Sequence, residues 1–180
     1  MRVIAGVARG HPLVAPRDRG TRPITDRVKE TLFGILGDRV LDARVLDLYA
    51  GSGAIGIEAL SRGASHATFV EQARPALEAL RANLERTHLA DLASVVAQNV
   101  DRFLAGTSGE PWDLVFLDPP YELRAIVAPL RDVEPHLAPD AMVVIKHFWR
   151  TEVPEVPGLQ SVRQRRFGET MLSFLEAPGR

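Results

Sequence analysis

Cysteine is absent from this 180-residue chain, which removes disulfides, thiolate zinc sites, iron–sulfur clusters and a cysteine nucleophile from consideration. Any catalysis must use other groups. Long apolar runs are missing too: Met1-Arg-Val-Ile-Ala-Gly6 lacks the apolar core of a signal peptide, and no stretch approaches the roughly 20 residues of a membrane span. The expectation is a soluble cytoplasmic protein with no membrane partner. His11, His66, His88, His136 and His147 show no ligand spacing, so no metal site is expected. Net charge is nearly absent as well, at −1, but it is unevenly spread. Residues 1–30 hold seven cations and three acids, a surplus of four, which leaves −5 for the remainder. A basic arm on a mildly acidic body suggests an anionic partner such as nucleic acid.

What is present is enough apolar content, 46%, to bury one full core. Arg2–Ala5 and Pro12–Ala15 read as a small hairpin, followed by a polar loop carrying Arg17, Arg19 and Arg22. Thr25 suits an N-cap and Asp26 a helix start, with Val28, Leu32, Ile35 and Leu36 as the apolar stripe and Arg27 and Lys29 off it. From Arg44 the pattern alternates. Strands are expected at 44–49, 66–71, 93–98, 112–118 and 141–146, with helices between them, and residues 160–166 and 170–175 read as a closing hairpin; Lys146, Arg163, Arg165 and Arg166 read as surface charges rather than catalytic groups. This predicts an α/β fold: a mostly parallel seven-stranded sheet with an antiparallel C-terminal hairpin and a small N-terminal hairpin and helix extension. Residues 1–37 form the extension and 38–180 the main domain in this reading.

The most informative stretch is Arg44-Val-Leu-Asp-Leu-Tyr-Ala-Gly-Ser-Gly-Ala-Ile-Gly-Ile-Glu58, read as a buried strand, a glycine bend and a helix. Gly51-Ser-Gly53-Ala-Ile-Gly56 is a G-x-G-x-x-G pattern, and Glu71 stands 20 residues after Gly51 at the end of the next strand, placed to accept ribose hydroxyls. A dinucleotide would fit that much. Asp47, however, would bring a carboxylate towards a pyrophosphate, and like charges repel. S-adenosylmethionine uses both acids, with its ammonium and sulfonium near Asp47 and its ribose on Glu71. A second motif, Asp118-Pro119-Pro120-Tyr121, closes the fourth strand at the same sheet edge. Two prolines fix two φ angles and remove two N–H donors, so the corner is stiff and rich in acceptors. Asp118 and the Pro119 carbonyl suit the N–H groups of an exocyclic amine, and Tyr121 offers a stacking face for a base.

Taken with Arg22-Pro-Ile-Thr-Asp-Arg-Val-Lys-Glu-Thr-Leu-Phe33, these two motifs make nearly the whole chain resemble the RsmD family of bacterial 16S ribosomal RNA (guanine-N2)-methyltransferases. The resemblance implies a Rossmann-like class I fold, S-adenosylmethionine as cofactor, and methylation of the N2 amine of a guanine in 16S rRNA or a small-subunit particle. It implies cofactor contacts from Asp47, Tyr49, Gly51, Ser52, Gly53 and Glu71, with Asn99 and Val100 beside the adenine. Asp118, Pro119, Pro120 and Tyr121 would form the catalytic corner, and Arg9, Arg17, Arg19, Arg22 and Arg27 the RNA contacts of a monomer. Other readings stay open: an adenine-N6 methyltransferase of DNA or RNA uses the same kind of corner. A nicotinamide-dependent oxidoreductase and an RNA-binding module without turnover are the rivals from other classes.

Overall fold

The computed structural model describes residues 1–16, 24–119 and 124–179. The expectations at Arg17, Arg19, Arg22, Pro120 and Tyr121 concern residues outside that set.

Helix α1 (Asp26–Leu36) starts where its cap predicts, with Thr25 Oγ1 accepting from Val28 N at 3.4 Å. There follow β1 (Arg44–Leu48), α2 (Ala54–Ser61), β2 (His66–Glu71), α3 (Arg74–Thr87), β3 (Ala93–Ala97), α4 (Val100–Gly106) and β4 (Trp112–Leu117). The chain continues through α5 (Arg124–Val133), β5 (Leu137–Phe148), β6 (Gln160–Phe167) and β7 (Thr170–Glu176). Seven strands lie in the order β3-β2-β1-β4-β5-β7-β6. All neighbours from β3 to β5 are parallel, and β7 and β6 add an antiparallel edge. The winding reverses between β1 and β4, and it is at such a switch point that ligands of open α/β sheets bind, beyond the carboxyl ends of the strands. β5 starts earlier than Ala141 because Pro139 and Asp140, the latter at φ 60°, hide the strand pattern from a sequence reading.

Central strands alternate between two buried layers. Val45, Phe69, Phe116, Val144 and Phe174 pack under α1, α2 and α3 through Phe33, Leu60 and Leu80. Leu46, Leu48, Val115, Leu117, Ile145 and Leu175 face α4 and α5 through Leu104, Ile126 and Leu130. This explains why β1, β4 and β5 read as nearly continuous apolar runs. Among the described residues no helix is long and apolar enough to cross a membrane.

The N-terminal segment belongs to the first layer, contributing Val3, Ala8 and Leu13. Its hairpin is short: one antiparallel bridge between Arg2 and Pro12, with Val3 N, Gly10 N and Leu13 N donating to the carbonyls of His11, Val3 and Met1, and no longer ladder among the described residues. The physical reason is where its backbone donors go: Ile4 N and Ala5 N donate to the Glu58 carboxylate at 2.8 and 3.0 Å, and Ala8 N donates to Ser61 Oγ at 3.0 Å. These donors serve α2 rather than a strand partner. Lys29 also departs from the sequence reading. It is fully buried, with Nζ 3.3 Å from Glu58 Oε2 and hydrogen-bonded to the Arg2 carbonyl. Burial lowers its pKa and Glu58 works against that shift. The stripe of α1 is thus wider than its apolar residues alone, because Glu58 gives a cation on that face a buried partner.

Candidate active site

β1 and β4 run side by side with Leu48 opposite Leu117. Asp118 N donates to the Leu48 carbonyl at 3.4 Å, so the bend after β1 and the corner after β4 leave the sheet together. Glu71 ends β2 on the same edge. Its Oε2 accepts from Gly51 N at 2.9 Å, and its Oε1 accepts from Gln72 N and Ala73 N, both at 2.8 Å. Asp47, one residue before the end of β1, is 2% exposed and accepts from Gly56 N at 3.0 Å. Asp47, Gly51, Glu71 and Asp118 are therefore brought to one place.

Electrostatically this is an unusual edge. Burial pushes the Asp47 carboxyl well above the usual carboxylate range; the Gly56 N–H opposes the shift, and the charges of Asp118 and Glu71 add to it. Among the described residues no cation pairs with Asp47, and no cluster of His, Asp and Glu is arranged to hold a metal. A buried carboxylate beside two more acids is a site for a positively charged ligand. Asp118 differs, because Lys146 Nζ donates to both of its oxygens at 2.8 and 2.7 Å. Burial raises Asp118 and Lys146 opposes the rise. Lys146 reads in the sequence as a surface charge; the structure corrects this, placing it on β5 directly beside the acceptor corner with 14% of its side chain exposed.

The bend is built for close approach. Tyr49 at φ 59°, Gly51 at 58° and Gly53 at 76° take left-handed conformations, which are costly for a tyrosine and concentrate at functional sites. A Cβ on Gly53 would sit 2.2 Å from Leu80 Cδ1, and one on Gly56 2.3 Å from Phe69 Cε1. The third glycine of the pattern therefore serves the packing of α2 on the sheet. Ser52 is buried and its carbonyl accepts from Asn83 Nδ2 at 3.0 Å. Tyr49 is half-buried, and burial together with nearby Asp101 pushes its hydroxyl up to about 12. Asn99 caps α4, its Oδ1 accepting from Asp101 N and Arg102 N, while Val100 is buried beneath that turn.

Two residues escape the sequence reading. Lys146 ends an apolar strand in line with Asp118, and only the β4–β5 register reveals the match. Asn83 interrupts the apolar face of α3 between Leu80 and Leu84, a signal that was available. It is fully buried, accepts from Val14 N at 2.7 Å and donates to the Val14 carbonyl at 2.9 Å as well as to Ser52. Through it the N-terminal segment is tied to the glycine bend just before the basic loop begins. Arg9 and Arg27 are both exposed.

Sheet order, glycine bend, acid-tipped second strand and Asp118 corner define a Rossmann-like methyltransferase. The chain belongs to the conserved hypothetical protein 95 family, the RsmD family, whose model matches residues 1–176. It is 39% identical over 168 residues to ribosomal RNA small subunit methyltransferase D of Escherichia coli K12, spanning 92% of this chain and 84% of that protein. Bacillus subtilis YlbH is 36% identical over 184 residues, 99% of this chain and 100% of that protein. The solved structure of Escherichia coli yhhF superposes with a TM-score of 0.89 at 36% identity, covering 100% of this chain and 99% of that one.

Proposed function

We propose that this protein transfers a methyl group from S-adenosylmethionine to the exocyclic N2 amine of a guanine in 16S ribosomal RNA, acting as a cytoplasmic monomer on the RNA or a small-subunit particle. The observation that carries this reading is the buried Asp47, without a cation among the described residues, beside the Gly51 bend and Asp118. Relatives named as rRNA methyltransferases supply the substrate class. A nicotinamide dinucleotide is disfavoured because its pyrophosphate would meet Asp47.

The residues present fit the cofactor. Asp47 faces its cationic end, Glu71, which already accepts three backbone N–H groups, has an acceptor site left on Oε2 for a ribose hydroxyl, and Tyr49, Gly51, Ser52 and Gly53 form the cradle, with Asn99 and Val100 flanking the adenine. When bound, S-adenosylmethionine supplies an electrophilic methyl. Asp118, with the Pro119 carbonyl, accepts the N–H groups of the target amine, orients its lone pair and takes up positive charge that develops on nitrogen. In this reading the stacking of the base falls to Tyr121, next to Pro120 in the same motif. The target base must leave its stack, which costs a few kcal/mol that phosphate contacts from Arg9, Arg17, Arg19, Arg22 and Arg27 offset.

Incubation of RNA and DNA with methyl-labelled cofactor, followed by mass analysis of the digested nucleosides, tests the assignment. N2-methylguanosine is the expected product; N6-methyladenine, or no product, overturns it. Asp118→Ala should abolish transfer and leave cofactor affinity nearly intact; loss of cofactor binding would reverse the roles assigned here.

A further inference from the structure

We infer that the outer strand β6, together with Trp149 and Arg150, is a second contact surface for the RNA backbone, on the far side of the acceptor corner from the N-terminal arm. The inference rests on the proposed RNA substrate. β6 is the last strand of the sheet, and every residue from Gln160 to Arg166 is exposed. Arg165 lies opposite Leu172, which lies opposite Lys146. Arg165, Leu172 and Lys146 thus form one row on one face, and Lys146 is bonded to Asp118. Strands are about 4.8 Å apart, so Arg165 stands roughly 10 Å from Lys146 along that row. Arg163, opposite Phe174, continues the same face.

On the other face the cations converge on one ring. The Arg166 guanidinium lies 3.8 Å from the Trp149 ring centroid and the Arg150 guanidinium 4.8 Å from it. Arg166 Nε donates to the Gly168 carbonyl at 2.7 Å, and Trp149 N donates to the Glu169 carbonyl at 2.9 Å. The cluster is held at the carboxyl end of β5, the end that carries the acceptor corner. Arg150, Arg163, Arg165 and Arg166 form no ion pair among the described residues. A guanidinium already stacked and anchored through Nε loses little freedom when its other N–H groups bind a phosphate.

Charge distribution agrees. Residues 146–169 hold five cations and three acids, a surplus of two, while residues 1–30 carry a surplus of four. Everything else sums to −7. Both basic stretches reach the same sheet edge, one through Val14 and Asn83 beside the bend, the other through Lys146 and Trp149. RNA whose target base enters between them meets phosphate-binding groups on both sides. Cations on an edge strand also discourage unwanted strand pairing. That role requires neither Trp149 nor the catalytic end of the sheet.

The test compares the full chain with Arg163→Gln/Arg165→Gln/Arg166→Gln, using steady-state methylation of RNA at several salt concentrations and calorimetric S-adenosylmethionine binding. The triple variant should raise KM for RNA at least tenfold. It should also flatten the slope of log KM against log salt by about two to three, with cofactor affinity and kcat at saturating RNA within twofold. Arg165→Gln alone, a change at an exposed position whose guanidinium bonds only the neighbouring Gln164 carbonyl among the described residues, should raise KM about threefold and serves if the triple variant is unstable. Methylation by the parent chain with unchanged KM and salt slope in these variants overturns the second surface and leaves edge protection as the role of the arginines. Absence of RNA methylation by the parent chain overturns the underlying functional reading instead.

Discussion

Removing the cation at Lys146 isolates the electrostatics of the acceptor corner. In Lys146→Met the Asp118 carboxylate keeps its place but loses both donors, at 2.8 and 2.7 Å. Among the described residues the charged group that then remains beside Asp118 is Asp47 from β1, an acid. Two unit charges about 3 Å apart attract by about 5 kcal/mol at an effective dielectric of 20. Desolvation consumes most of that, and the pair is only partly buried, with side-chain exposures of 14% and 30%. A net of about 1.5 kcal/mol remains between the exposed and buried limits. That is about one pH unit.

The sign follows from burial, which already raises Asp118 while Lys146 holds it down. Without the lysine the carboxyl titrates higher still, and Asp118 is ionised over a narrower alkaline range. The acidic limb of log kcat/KM for RNA against pH should therefore move up by about one unit in Lys146→Met. Above that limb kcat should approach the parent value, and Lys146→Arg should restore the original profile. Calorimetric affinity for S-adenosylmethionine should stay within about threefold, since the side-chain hydrogen bonds of Lys146 among the described residues go to Asp118 and not to the bend. A profile superposable on that of the parent would refute the reasoning. So would a pH-independent loss of activity matched by loss of cofactor affinity.

Asp47→Asn separates stability from function: ionised Asp47 is disfavoured by burial, so its folded-state penalty is present at neutral pH and vanishes as pH falls below the unfolded carboxylate value of about 3.9. The variant should gain several degrees in Tm at pH 7 but not near pH 4, while cofactor affinity falls at least tenfold; an unchanged affinity refutes the role of the charge. Asn83→Ala leaves Val14 N, the Val14 carbonyl and the Ser52 carbonyl without their partner. It should cost about 2–4 kcal/mol in urea unfolding and open the segment after Val14 to limited proteolysis; unchanged proteolysis would show that Asn83 does not hold the arm. Gly6→Ala places a Cβ 1.6 Å from the Ser61 carbonyl at φ 83°, and should destabilise by more than about 3 kcal/mol, a result that thermal denaturation checks directly.

The sheet was legible because its central strands are apolar on both faces and its helices keep a regular stripe. Asp47, Gly51, Glu71 and Asp118 could be placed on one edge from strand order alone, since parallel strands all end there. Lys29 and Lys146 were misread for a shared reason: a lysine looks solvated until the acid it meets is known, and Glu58 and Asp118 lie 29 and 28 residues away. The hairpin at the start was half legible. Its alternation is real, but the donors of Ile4, Ala5 and Ala8 answer to Glu58 and Ser61, which no local pattern announces.

The three acids of the carboxyl edge are satisfied by different means, and the difference locates the unmet charge. Glu71 accepts three backbone N–H groups, at 2.9, 2.8 and 2.8 Å. Asp118 has a lysine on both oxygens. Among the described residues Asp47 has one backbone N–H, and it is 2% exposed. Water cannot solvate it, and its neighbours repel it, so a cation delivered there gains more than at either other acid. The same packing that buries Asp47 requires glycine at position 56, where a Cβ would lie 3.1 Å from its Oδ2 and closer still to Phe69. The glycine pattern and the uncompensated carboxylate are consequently one feature of the fold: α2 can sit this close to β1 and β2 only without a side chain there, and that closeness is what strips Asp47 of water.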